Sequence, residues 1–102
     1  MLPGIQLFQL HGRTAIVTGG SKGLGLAMAQ RFLQSGAAGV AILARSQGPL
    51  DEAKAKLDAL GLGKVAAISC DIATADGVRK GYDGAMAALG RVDIVVNNAG
   101  QS

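Results

Sequence analysis

Three glycines at the spacing Gly19-x-x-x-Gly23-x-Gly25, with Thr18 ahead of them and Lys22 among them, are the residues of this chain best suited to chemistry. Glycine leaves the backbone bare, so the N–H groups of such a turn can approach an anion that side chains would hold off. Where a turn of this kind opens a helix, the free N–H groups and the helix dipole favour negative charge, and phosphate is the usual guest. The inventory for making and breaking bonds is thinner. His11 is the only histidine, has no partner cluster, and reads as a loop residue. Cys70 is the only cysteine and ends an apolar run, so it reads as a small buried hydrophobe. It excludes an internal disulfide and a cysteine-only metal site, and no metal is expected; a reduced, cytoplasmic setting fits. Tyr82 is the only tyrosine. It falls on the apolar stripe of a helix, where core packing accounts for it.

The elements that must position the glycine turn follow from periodicity. Residues 14–18 are β-branched and apolar and predict a strand ending at the turn. Residues 24–35 predict a helix closed by Gly36, with Leu24, Ala27, Met28 and Phe32 on one face. A second strand is predicted over 39–45. A second helix is expected to start near Pro49, which suits a first helical position, with Asp51 and Glu52 in its first turn. Leu50, Ala53, Leu57 and Leu60 make its apolar face and Gly61 stops it. A third strand is predicted over 64–70. A third helix follows, capped by Thr74, with Val78, Tyr82, Ala85, Met86 and Leu89 on one stripe. A fourth strand is predicted over 92–97. In the third helix Gly77, Gly81 and Gly84 are expected on the surface, each costing up to about 1 kcal/mol relative to alanine. A close helix contact or a weakened helix would each account for them.

The order β-α-β-α-β-α-β, with continuous rather than alternating apolar strands, predicts a parallel sheet covered on both faces. With right-handed crossovers this is an α/β, Rossmann-like, doubly wound fold, truncated after its fourth strand. Residues 1–12 form a leader and 13–102 a partial nucleotide-binding domain. The leader shows neither a signal peptide nor a membrane span, since residues 1–10 carry no basic side chain and no long apolar core. At 102 residues and 49% hydrophobic, the chain can bury one modest core. Aromatics at 3% disfavour base-stacking modules, and a scattered net charge of +3 does not argue for nucleic acid or a membrane surface.

A Walker phosphate loop needs Ser or Thr after its lysine, and Lys22 is followed by Gly23, so that alternative fails. The pattern Thr18-Gly19-x-x-x-Gly23-x-Gly25, together with Asn97-Asn98-Ala99-Gly100 at the end of the fourth strand, resembles the short-chain dehydrogenase/reductase family. The resemblance runs from about residue 10 to 102. It implies that Gly19, Gly23 and Gly25, with Leu24 in the same turn, line the pyrophosphate and adenosine-ribose end of a nicotinamide dinucleotide. Ser21 and Lys22 would touch the phosphate edge. Asp71 would hydrogen-bond the adenine amino group with Ile72 beside the ring, and Asn98, Ala99 and Gly100 would lie along the ribose and nicotinamide side. Dinucleotide enzymes that use NAD place an acid about 20 residues past the glycine turn. Here Arg45 stands 20 residues past Gly25, in Leu43-Ala44-Arg45-Ser46, where no acid is present. A guanidinium can fork onto a 2′-phosphate, so NADP(H) is expected over NAD(H).

The same resemblance implies chemistry that this sequence does not carry. The family uses a Tyr-x-x-x-Lys pair and an upstream serine to pass a proton while the nicotinamide passes a hydride. Met86 stands four residues past Tyr82 and Ser102 comes too early, so no catalytic residue is expected here. Three further strands with their helices would complete the family fold, its substrate pocket and its usual homo-oligomer interface. The fourth strand is therefore expected as a long, apolar, unpaired edge on a marginally stable chain, with one sheet face covered only by the third helix. The expected function is the cofactor-binding part of an NADP(H)-dependent carbonyl/alcohol oxidoreductase, one example being a 3-oxoacyl-carrier-protein reductase. Its partners would be the dinucleotide and, in a full-length form only, a small carbonyl or alcohol. The alternative is a non-catalytic half-domain that binds a nucleotide or a partner.

Overall fold

The stretch Gly39–Ala44 is buried along its whole length, which requires cover on both faces and neighbours on both edges. The computed structural model describes residues 10–98 and supplies both. In chain order the elements are β1 (Thr14–Thr18), α1 (Gly23–Gln34), β2 (Gly39–Ala44), α2 (Gln47–Asp58), β3 (Lys64–Ser69), α3 (Ala75–Leu89) and β4 (Ile94–Val96). The four strands form one parallel sheet in the order β3-β2-β1-β4. The order reverses at β1: the chain winds outward through β2 and β3, then returns to place β4 on the other side of β1.

Alternation along the strands divides the core into two layers. Ala15, Val17, Val40, Ile42, Ala44 and Val65 face α1 and α2, where they meet Ala29, Phe32, Leu33, Leu50, Ala53 and Leu57. Ile16, Ala41, Leu43 and Ala66 face the other way, onto Ala85 of α3 with Cys70 beside them. Leu10, within the expected leader, is buried in the first layer, so the core begins ahead of residue 13.

The faces of two helices differ from the expected ones. In α1, Leu24 is 62% exposed and Ala27 is also exposed, while Gly25, Ala29, Phe32 and Leu33 are buried. The close approach at Gly25 sets the phase of this helix. In α3, Val78 and Tyr82 point outward, 48% and 43% exposed, so Tyr82 is not a core residue. The inward side carries the glycines. A Cβ on Gly81 would stand 2.8 Å from Cys70 Sγ, one on Gly84 would stand 3.0 Å from Ile68 Cδ1, and one on Gly77 would fall on the Asp71 carbonyl. These glycines face inward along the helix rather than sitting on its surface. They bring it close to the sheet, a contact between helix and strands.

Boundaries also move. The helix expected to start near Pro49 starts at Gln47, which leaves Asp51 and Glu52 beyond its first turn. Pro49 is accommodated as the third residue, where the helix has no use for its N–H. Thr74 caps α3 as expected, its Oγ1 accepting from Gly77 N at 3.0 Å. Gly36 and Gly61 follow their helices at φ of +97° and +64°, the left-handed region that glycine adopts without strain. Among the described residues the fourth strand stands at the end of the sheet, and it is shorter than expected: its ladder with β1 covers only Ile94, Val95 and Val96.

That short ladder is fastened at its start. Thr14 N donates to Asp93 Oδ2 and Asp93 N donates to Thr14 O, both at 2.9 Å. Arg91 Nη2 lies 2.6 Å from Asp93 Oδ1 and Arg13 Nη1 lies 3.7 Å from it. The Arg91 hydrogen bond first, and the Thr14 N–H after it, hold the Asp93 carboxyl down at about 2. A carboxyl depressed in the fold stabilises it above the carboxyl's unfolded value, near 4, and loses that contribution as pH falls toward 2. The midpoint of thermal unfolding should therefore drop between pH 4 and pH 2, and Asp93→Asn should flatten part of that slope. A second expectation concerns the glycines of α2 and α3. Gly77→Ala should cost about 1–3 kcal/mol in urea unfolding, because backbone is what it strikes. Gly48→Ala, whose methyl meets nothing within 4 Å beyond its chain neighbours, should change stability far less, the gain from alanine being offset because Pro49 after it disfavours the helical region for a residue with a Cβ.

Candidate nucleotide-binding site

The carboxyl ends of all four strands open on the same edge of the sheet, and the expected site residues gather there. β1 ends at Thr18 and passes straight into the glycine turn. Gly19 N donates to Leu43 O at 2.7 Å, which ties the turn to β2. Gly19 and Gly23 have φ of +67° and +57°, so both need the left-handed freedom that glycine provides. Ser21 between them is buried and Lys22 is exposed. Lys22 is the N-cap residue of α1, in extended conformation, and no side chain caps the helix. The first intrahelical bond runs from Leu26 N to Lys22 O, so the N–H groups of Gly23, Leu24 and Gly25 have no carbonyl within the helix to meet. This is the electrostatic arrangement that accepts a phosphate.

Gly25 is required by contact rather than by conformation. A Cβ there would fall on the Gly19 carbonyl oxygen and stand 2.9 Å from Asn98 Nδ2. Three segments thus converge on one methyl-sized space: the start of the turn, the first turn of α1 and the end of β4. Thr18, which the sequence reading left out of the site, locks this convergence. Its Oγ1 accepts from Asn98 N at 2.7 Å and lies 3.3 Å from both Val96 O and Asn97 Oδ1. Its place at the head of the motif is the signal that could have found it. Gly20 was missed as well; a Cβ there would stand 2.6 Å from Ile42 Cγ2.

The remaining residues lie on the adjoining strand ends. Arg45 is exposed directly after β2, and its carbonyl accepts from Ser69 Oγ at 2.9 Å. Asp71 follows β3, half-exposed; its Oδ1 accepts from Ala73 N at 2.9 Å and shapes the loop into α3. Ile72 packs partly against the α3 layer. Cys70 is buried, and burial raises its thiol above the ordinary range, against the pull of Lys80. It is the inert packing residue its context implies. Ala99 and Gly100 lie outside the described residues. Among the described residues, Asn98 Nδ2 is the one buried side-chain nitrogen or oxygen that is left without a hydrogen-bond partner.

A parallel sheet whose strand order reverses beside β1, with a glycine turn at the reversal, defines a nucleotide-binding α/β domain of the Rossmann kind. The model of the short chain dehydrogenase family matches residues 13–102, and the chain belongs to that family. It is 44% identical over 92 residues to the dehydrogenase/reductase SDR family member 4 of Caenorhabditis elegans, covering 90% of this chain and 35% of the relative. It is 42% identical over 93 residues to the 3beta-hydroxysteroid dehydrogenase 1 of Eggerthella lenta, covering 89% and 34%. Among solved structures, the L-sorbose reductase of Gluconobacter frateurii, in complex with NADPH and L-sorbose, superposes with a TM-score of 0.81 at 36% identity. That match covers 87% of this chain and 34% of the reductase. The Pseudomonas aeruginosa RhlG/NADP active-site complex matches with a TM-score of 0.79 at 38% identity, over 97% of this chain and 38% of that one. The chain thus spans about a third of the length of the relatives it matches.

The residues present fit a dinucleotide on the evidence of their own geometry: an uncapped helix end, a space at Gly25 that a methyl would fill, and an orphaned amide nitrogen beside it. Gly25→Ala should therefore lower stability by about 1–3 kcal/mol, since the Gly19 carbonyl lies in the way with Asn98 Nδ2 close behind it, and abolish nucleotide binding. Thermal unfolding and a calorimetric titration of the same sample would read both effects.

Proposed function

We propose that this chain binds the dinucleotide of an NADP(H)-dependent oxidoreductase that interconverts a carbonyl and an alcohol. Arg45 carries the choice of cofactor. It stands exposed at the end of β2, where an NAD-type site would hold an acid, and the stretch from Leu43 to Gln47 has none. Ser46 caps the following helix without a side-chain hydrogen bond, so the positive end of α2 lies beside Arg45 and adds to its field. The two solved relatives named above with NADPH or NADP support the same assignment.

In this reading Gly19, Ser21, Lys22, Gly23, Leu24 and Gly25 hold the pyrophosphate, through backbone N–H groups and the Lys22 ammonium. Asp71 and Ile72 bound the adenine, while Asn98, with Ala99 and Gly100 after it, leads toward the nicotinamide. The nicotinamide, when bound, gives or takes a hydride. The chain's own residues bind and orient it. Tyr82, exposed on α3 with Met86 four residues on, takes no part in proton transfer. The substrate would be a small carbonyl or alcohol; relatives bearing the names of sugar and steroid enzymes share this architecture, so its choice falls to residues other than these.

The test is the ratio of affinities for the two cofactors. NADP+ should bind more tightly than NAD+ in a calorimetric titration. Arg45→Glu should weaken NADP+ by about 1.5–3 kcal/mol, the worth of a hydrogen bond to a charged group, while NAD+ is held or improved. Equal affinities in the unsubstituted chain would overturn the assignment.

A further inference from the structure

Ser69 stands at the last rung of β3 and reaches past it. Ala44 is paired with Ser69 in the β2–β3 register, and Cys70 N donates to Ala44 O at 2.9 Å. Beyond that bond the two segments part. The chain after β3 enters the Asp71 loop, held by Ala73 N on Asp71 Oδ1, and the chain after β2 turns at Ser46 into α2. The Arg45 carbonyl lies where they diverge, and the Ser69 hydroxyl donates to it at 2.9 Å. One side-chain bond thus extends the β2–β3 pairing by a residue, onto the peptide that carries the Arg45 side chain.

Resting on the assignment of Arg45 to a 2′-phosphate, we infer that Ser69 is a positioning residue for cofactor choice. It acts through the Arg45 carbonyl and not on the nucleotide. A guanidinium fork gains from a phosphate only to the extent that its root is fixed beforehand, because freedom left in the free protein must be lost on binding. Arg45 is exposed, and no ion pair or side-chain hydrogen bond holds its guanidinium among the described residues. Its backbone is therefore where preorganisation is set. NAD+ has no 2′-phosphate and makes no demand on this latch. Ser69 thus bears on one cofactor and is silent toward the other.

The experiment is a calorimetric titration of the unsubstituted chain, Ser69→Ala and Ser69→Thr with NADP+ and with NAD+. Ser69→Ala should bind NADP+ about fivefold more weakly, as expected for one lost hydrogen bond, with NAD+ affinity unchanged. Ser69→Thr keeps a hydroxyl on a strand that tolerates β-branching and should restore NADP+ affinity. Equal losses for both cofactors would mean that Ser69 works through the Asp71 loop, and would overturn the inference. So would an unaltered NADP+ affinity in Ser69→Ala, or a Ser69→Thr variant as weak as Ser69→Ala. An unsubstituted chain that binds both cofactors equally, or neither, would instead bring down the Arg45 assignment itself, and this inference with it.

Discussion

Everything at the binding edge depends on the pairing of β1 with β4. The two strands are nearly eighty residues apart in sequence, and Thr14 with Asp93 and Thr18 with Asn98 tie them at both ends. Without that pairing the glycine turn would still follow β1, because its own bonds run to β2. It would lack its far wall, and the space against Gly25 would be open to water. Closing so long a loop is entropically expensive, and three rungs of ladder alone repay little. The side-chain bonds at both ends of the ladder are the compensation, made by the Asp93 carboxylate at its start and the Thr18 hydroxyl at its end. The hydroxyl of Thr18 serves strand alignment and site geometry at once.

The sequence revealed the strand positions and the turn because both are written locally. β-branched apolar runs specify buried strands, and glycines at fixed intervals specify a bare backbone. What it did not reveal is which way two helices face. In α1 apolar residues surround much of the axis, so Leu24 and Ala27 were as good candidates for the core as Leu26 and Ala29; the contact between Gly25 and Gly19 decides between them, and that contact is tertiary. In α3 the hydrophobic stripe was misleading for a steric reason. The sheet and the Asp71 loop beyond it come so close that Gly77, Gly81 and Ala85 are what fit, and the larger Val78 and Tyr82 are turned outward. Hydrophobicity marks a buried face only where there is room for side chains. Thr18 was seen as the head of the motif but not as a member of the site, and Ser69 not at all, because a hydroxyl on a strand reads as β-propensity until its partner on another strand is seen.

The two ends of the proposed site, the one assigned to the phosphates and the one assigned to cofactor choice, are built differently. The phosphate end is backbone, enforced by packing against which no rotamer can give way. The Arg45 end is a flexible charged side chain on an exposed strand terminus, held only through its peptide. The first is hard to alter without loss of the fold. The second can change with a residue or two. A fold that keeps one and varies the other can hold many dehydrogenases to one binding mode while leaving their choice between two cofactors adjustable.

The brevity of β4 has a consequence for motion. Its ladder with β1 has three rungs, against five between β1 and β2, and its middle residue Val95 is 58% exposed. β2, by contrast, is sealed on every side. Fewer rungs hold fewer amides, so hydrogen exchange in this sheet should be graded, faster along β4 than along β1 and β2. Asn98 follows the strand with the fewest rungs, so the wall it gives the space at Gly25 should yield before the glycine turn does.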